Sequence, residues 1–214
     1  MSKETFNKIY HYHHTAEKRE DFVSFGMIKG KLFSEWIGRE KKILDLGCRD
    51  GALTKYFIEG NEVLGVDADC EALKRCEEKL NIKTKWLDLN NDWDLPKEFD
   101  VVVASEVLEH LYFPEKVLEG VKNVLKEDGL FIGSVPNAFS LKNRFRILFG
   151  RKKGTPLNDP VHINHFSYKE LKQILSKEFK QVEVYPLVQE KYAWLAKIFP
   201  SLISYQLIFK CKNK

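Results

Sequence analysis

Apolar positions along the chain change their period near residue 42. Before that point Phe22, Phe25, Ile28, Leu32, Phe33 and Trp36 recur at helical spacing, which predicts a helix within the first forty residues. From Lys42 onward, short apolar runs alternate with amphipathic stretches. Ile43–Leu46, Glu62–Val66, Ile82–Leu87, Asp100–Ala104 and Leu130–Val135 read as strands. Between them the pattern predicts a helix over Gly51–Ile58. A second helix is capped by Asp69 and runs through Leu80, with Ala72, Leu73, Cys76 and Leu80 inward. A third opens at Pro114, carries Val117, Leu118, Val121 and Leu125 on its inner stripe and ends near Gly129. After Pro136 the regularity lapses until a helix over Ser167–Lys177, and Val182–Tyr185 and Tyr205–Cys211 complete seven strands.

Strands alternating with helices of these lengths predict βαβ units and a parallel sheet covered on both faces. The fold class expected is α/β, a three-layer αβα, Rossmann-like sandwich. The 214 residues contain no linker-like or repeated stretch, so one domain over 1–214 is expected. Residues 1–40 form its N-terminal helical cap and 138–166 an insertion after the fifth strand.

Composition narrows the class further. Charged residues at 31% and hydrophobic ones at 43% exclude a disordered or fibrous chain. Four cysteines without metal-ligand spacing suit a reducing compartment, and the polar start from Met1 to Asn7 lacks the apolar core of a signal peptide. A cytoplasmic protein is expected. The net charge of +4 is small for a nucleic-acid binder, so nucleic acid is not an expected partner. Basicity is concentrated instead in Lys142, Arg144, Arg146, Arg151, Lys152 and Lys153, a stretch with no acidic residue.

In an open parallel sheet, ligands bind beyond the carboxyl ends of the strands. The first strand ends in Asp45-Leu-Gly-Cys-Arg-Asp-Gly51, where Gly47 and Gly51 allow a tight turn and close backbone approach. The second ends in Asp67, 22 positions after Asp45, near the offset at which a carboxylate meets ribose hydroxyls. The third leads to Asp88 and the fourth to Ser105-Glu106. One such turn is weak evidence; four consecutive polar strand ends are much stronger.

These segments resemble class I S-adenosylmethionine-dependent methyltransferases, and within them the branch of ubiquinone-biosynthesis and small-molecule or glycan O-methyltransferases. Ile43–Gly51 resembles the first motif, Leu64–Asp67 the second, Phe99–Leu111 the fourth, and Leu125–Leu130 with Ser134–Asn137 the strand-five region. The resemblance runs from about Lys41 to Lys180. It implies a seven-stranded sheet with an antiparallel C-terminal strand, and S-adenosylmethionine as cofactor with S-adenosylhomocysteine as product. It also implies that Asp45 and the Gly47–Gly51 backbone hold the amino-acid end, Asp67 both ribose hydroxyls and Asp88 the adenine amino group. Ala68 and Leu89 would flank the ring, with Ser105 or Glu106 near the methionine moiety. Arg49 departs from the family's usual glycine, so its side chain must point away from the cofactor or meet its carboxylate.

The expected reaction is methyl transfer to a hydroxyl of a small metabolite, glycan or lipid-linked intermediate. An oxygen acceptor must lose a proton, which suits a histidine. The resemblance favours His162, then His165 in the same His162-Ile-Asn-His165 segment, with His110 after the fourth strand as a third candidate. His11, His13 and His14 lack the cysteine or second histidine pair of a zinc set, so no metal is expected there. Tyr10 to His14 instead read as an arm closing over the cofactor.

Leu141, Phe145, Leu148 and Phe149 fall on one helical face amid the basic residues, a pattern suited to an anionic membrane surface or a phosphorylated substrate. An RNA methyltransferase and a non-catalytic cofactor-binding module are the rival readings. A dinucleotide oxidoreductase would need Gly-x-Gly-x-x-Gly after the first strand, which is absent.

Overall fold

The computed structural model describes residues 4, 5, 8, 11, 12 and 20–214. Of the proposed arm, Tyr10, His13 and His14 lie outside the described residues. The strands β1 (Lys42–Leu46), β2 (Glu62–Asp67), β3 (Lys83–Trp86), β4 (Phe99–Ser105), β5 (Leu125–Pro136), β6 (Phe179–Leu187) and β7 (Gln206–Asn213) form one sheet. Their order is β3-β2-β1-β4-β5-β7-β6. β1 pairs with β2, and β2 with β3, in parallel, while β6 and β7 are antiparallel. This is the α/β, Rossmann-like architecture that the alternation predicts, with the antiparallel pairing at the C-terminal end.

The chain forms two compact units. One runs to Val103 and includes Val124–Leu130; the other comprises Ala104–Asn123 and Phe131–Lys214. In the first, α1 (Gly26–Ile37) precedes β1, and α2 (Cys70–Leu80) joins β2 to β3. Ile43, Leu44, Leu46, Val63 and Val66 are buried, as parallel strands covered on both faces require. Asp69 caps α2 by accepting the amides of Glu71 and Ala72, and Ala72, Leu73 and Cys76 are its buried face.

In the second unit, α3 (Pro114–Val124) buries Val117, Leu118 and Val121. The rings of Phe179 and Phe209 lie 5.2 and 5.0 Å from that of Phe131. α4 (Leu141–Leu148), α5 (Tyr168–Glu178), α6 (Ala193–Ile198) and α7 (Pro200–Ile203) follow. α5 begins with a capping box: Ser167 accepts from the Glu170 amide while Glu170 accepts from the Ser167 amide.

Two local expectations are corrected. Gly51–Ile58 forms only a 3₁₀ turn at Thr54–Tyr56; no side chain caps it, and the Thr54 hydroxyl is directed to Asp45. The predicted N-terminal helix forms as α1, with Lys29, Gly30, Phe33 and Ile37 buried and Ile28 exposed, while the exposed Phe22 and Phe25 precede it. The third helix stops at Val124, with Leu125 already in β5. The positive φ lies at Asp128 (57°), one residue before Gly129, because a short acidic side chain tolerates that region.

Candidate functional site

Parallel pairing aligns the carboxyl ends of β1, β2 and β3, with Asp45 opposite Gly65 and Asp67 opposite Trp86. Asp45, Asp67 and Asp88 therefore share one rim of the first unit, and all three are buried. The turn after β1 is fixed by Gly47 and Cys48, whose amides both donate to the Val66 carbonyl. Gly47 and Gly51 have φ of 68° and 79°, a region glycine enters without strain. At Gly51 a Cβ would also come within 2.4 Å of Leu80 and 3.0 Å of the Cys76 sulfur.

Asp45 accepts from Thr54 Oγ1 at 2.7 Å. Burial pushes its carboxyl up to about 7; the Thr54 bond opposes this and the nearby Asp67 charge adds to it. Asp67 accepts the Arg49 amide on one oxygen (3.0 Å) and the Asp69 amide on the other (2.9 Å). Asp88 accepts from the Asn90 amide and side chain and from the Asn91 side chain. The half-buried Ala68 and Leu89 have their carbonyls held by the indole N–H groups of Trp86 (2.9 Å) and Trp93 (3.2 Å).

Arg49 adopts φ 51°, the conformation glycine would supply. Its guanidinium donates to the Phe22 carbonyl at 2.8 Å and reaches Asp50 at 3.4 Å. The turn thus keeps its shape while the side chain is engaged with the segment preceding α1. His11 Nδ1 lies 3.8 Å from the Asp69 carboxylate. The rim thus combines a turn whose glycines hold positive φ with three buried carboxylates and the half-buried Ala68 and Leu89.

In the second unit β4 ends at Ser105, and Glu106 follows with a strained φ of 57°. Both Glu106 oxygens accept hydrogen bonds, from Ser134 (2.6 Å) and Gln206 (2.8 Å), and the Ser105 and Ser134 hydroxyls lie 2.9 Å apart. Just beyond, Glu109 and His110 sit beside the segment carrying His162. The Ile163 and Asn164 amides donate to the Glu109 carbonyl at 2.8 and 2.9 Å, and Asn164 Nδ2 donates to the Leu111 carbonyl. The His110 and His162 rings stand edge to face with centroids 4.8 Å apart. His165 is outside this cluster, and its Nε2 is buried without a hydrogen-bond partner among the described residues. The residues that spacing did not single out are Thr54, Glu109, Ser134, Asp159 and Gln206. Glu109 carried a usable signal in its adjacency to His110, and Ser134 in its place within the strand-five segment.

The family model described as a methyltransferase domain matches residues 17–178. The chain therefore belongs to this family, the class I S-adenosylmethionine-dependent methyltransferases. Among curated relatives, the ubiquinone biosynthesis O-methyltransferase of Glaesserella parasuis is 33% identical over 110 residues, 45% of this chain and 46% of that protein. A probable S-adenosylmethionine-dependent methyltransferase of Mycolicibacterium smegmatis is 27% identical over 174 residues, 78% of this chain and 62% of its own. Among solved structures, a methyltransferase of Thermotoga maritima, described as a possible histamine N-methyltransferase, superposes with a TM-score of 0.71. It is 14% identical and the match covers 95% of this chain and 98% of that one, a likeness of fold. The chain spans about half the length of the ubiquinone-biosynthesis relatives it matches.

Proposed function

We propose that this chain transfers a methyl group from S-adenosylmethionine to a hydroxyl of a small metabolite, glycan or lipid-linked intermediate. The observation that carries the reading is the pair of buried carboxylates, Asp45 and Asp67, on adjacent parallel strands beside a glycine turn. Two like charges at one buried rim raise the energy of the ionised site, and a cationic ligand relieves it. When bound, the cofactor supplies an electrophilic methyl on a sulfonium centre.

Asp67 holds the ribose diol, Asp45 with the Gly47–Gly51 backbone binds the amino-acid end, and Asp88 faces the adenine edge. Ala68 and Leu89 flank the ring, and Ser105 or Glu106 serves the methionine moiety. On the acceptor side His162 removes the hydroxyl proton, with His165 as the runner-up base and His110 as the third candidate. Alignment of acceptor and methyl contributes most of the acceleration. The exposed α4 segment, with its basic residues, seats the protein on an anionic membrane surface when the acceptor is lipid-linked. Cys48, Cys70, Cys76 and Cys211 form no disulfide, which fits the cytoplasm, and no described helix is long and apolar enough to cross a membrane.

The test is calorimetry with S-adenosylhomocysteine on the full chain. A saturable site that Asp67→Ala weakens roughly ten- to a hundredfold supports the reading. Absence of binding to the unmodified chain overturns it. Radiolabelled methyl transfer across a hydroxyl-compound library then identifies the acceptor.

A further inference from the structure

Gln206 opens β7, and the main chain fixes its place on both sides. The Tyr205 amide donates to the Leu187 carbonyl at 2.9 Å, and the Tyr205 carbonyl accepts the Asn137 amide at 3.0 Å. Gln206 itself pairs with Leu187 of β6. It is 4% exposed, and Ser134 near the end of β5 is fully buried.

The polar atoms here have a definite order. Gln206 Nε2 donates to one oxygen of Glu106 and the Ser134 hydroxyl to the other. A hydroxyl carries a single hydrogen, so Ser134 has none left for Ser105, and Ser105 donates across the 2.9 Å between them. A carboxylate accepts, so the Gln206 carboxamide is held with its nitrogen toward Glu106; turned over, it would set oxygen against oxygen. The amide oxygen this leaves, Oε1, is buried and has no hydrogen-bond partner among the described residues.

Buried acceptors are almost always paired, and leaving one unpaired costs more than a made bond returns. A leucine or methionine would fill the same space without that cost. The place of this oxygen supplies a reason for it. The Glu106 amide donates to the Ser134 carbonyl at 2.8 Å, which sets the ends of β4 and β5 side by side. Ligands of an open α/β sheet meet it at that edge. Ser105 and Glu106 are half-buried, so the network is approached from their side.

We propose that Gln206 is a specificity-determining residue: its Oε1 takes a hydrogen bond from an N–H or O–H group of the methyl acceptor, other than the hydroxyl that receives the methyl. The inference rests on the methyl-transfer reading and narrows its acceptor to compounds that carry such a second donor. Two strands hold the oxygen in place, so it rewards a donor set at one position and rejects an ether or methyl group there.

The experiment records nitrogen-15 spectra of the full chain loaded with S-adenosylhomocysteine, and reads the Gln206 carboxamide and the Glu106 and Ser134 amides. The probes are phenol with anisole, cyclohexanol with methoxycyclohexane, and aniline with N,N-dimethylaniline, each pair differing in one donor. At least one donor probe is expected to shift the Gln206 carboxamide saturably and to bind roughly fivefold or more tightly than its methylated partner. In Gln206→Leu, read on the Glu106 and Ser134 amides, the preference should vanish. Thermal melts establish that this variant folds, and Gln206→Asn, which draws the oxygen back by one methylene, replaces it if it does not. No response to any donor probe up to tens of millimolar overturns the proposal, as does equal binding within every pair or a preference that persists in the variant. S-adenosylhomocysteine calorimetry separates the two levels: absent cofactor binding sinks the methyl-transfer reading, whereas cofactor binding with no donor preference at Gln206 sinks this inference alone.

Discussion

The backbone N–H of Arg49 donates to the Asp67 carboxylate at 3.0 Å, from a residue held at φ 51°. The bond ties the turn after β1 to the end of β2, and it is made by the main chain, so any residue that accepts the left-handed conformation can supply it. An arginine there costs about 1–2 kcal/mol of backbone strain relative to glycine. The guanidinium offsets part of this through the Phe22 carbonyl and Asp50. Arg49→Gly is therefore expected to change unfolding free energy by no more than about 1 kcal/mol in urea titrations. Cofactor affinity should stay within a few-fold; a tenfold loss would mean that the guanidinium itself reaches the ligand.

In the proposed site, Asp45 is expected to make cofactor binding depend on pH. Its carboxyl is raised to about 7, chiefly by burial, against an unfolded value of 3.8. Between those two values the folded protein holds a proton that the unfolded chain has released. Stability from this group therefore falls as pH rises from about 4 to 7. A cationic ligand prefers the ionised form, so its binding expels the proton below pH 7. Apparent affinity should rise about tenfold per pH unit from 5 toward 7 and level off above, with proton release visible in buffers of different ionisation enthalpy. The groups acting on Asp45 are Thr54 and Asp67, and Cys48 feels the same two carboxylates. Asp45→Asn should flatten the profile; an unchanged slope would assign it to another group.

Much of this site was legible because its elements depend on short-range pattern. Ile43-Leu-Asp-Leu-Gly announces a buried strand and a turn, and Asp69 announces a cap, whatever lies around them. The His110–His162 pairing was not legible, because 52 positions separate the two and only the folded segment around Asn164 brings them together. The failed helix at Gly51–Ile58 has a related cause: Thr54, read locally as a helical residue, is claimed by a carboxylate nine residues back. Exposure of Phe22 and Ile28 likewise depends on which neighbours α1 meets, and helical spacing does not specify that.

Gly30 lies inside α1, where alanine would ordinarily add about 1 kcal/mol through helix propensity. Here a Cβ would stand 2.3–2.7 Å from three atoms of the Tyr56 ring. Overpacking of a filled site costs about 1–3 kcal/mol, so the sign reverses. Gly30→Ala should lower the urea midpoint with an unchanged slope. A stabilised variant would show that the ring does not occupy that space.

The α4 segment offers the last prediction. Leu141, Phe145, Ile147, Leu148 and Phe149 are exposed by 42–75%. Arg144 and Arg146 are spent internally, donating to the carbonyls of Phe139 and of Lys153 and Gly154, and so shape the turn. Lys142, Arg151, Lys152 and Lys153 are exposed beside the apolar face. Each cation near an anionic leaflet contributes about 1 kcal/mol, and the four together suffice for measurable attachment before any ring inserts. Co-sedimentation with vesicles containing phosphatidylserine should be strong at low salt and largely lost at high salt, where screening shortens the electrostatic range. Lys152→Glu with Lys153→Glu should weaken it more than tenfold while leaving S-adenosylhomocysteine affinity unchanged. Sedimentation insensitive to both salt and charge reversal would assign attachment to the apolar face alone, and no sedimentation at low salt would remove the membrane from the account of this segment.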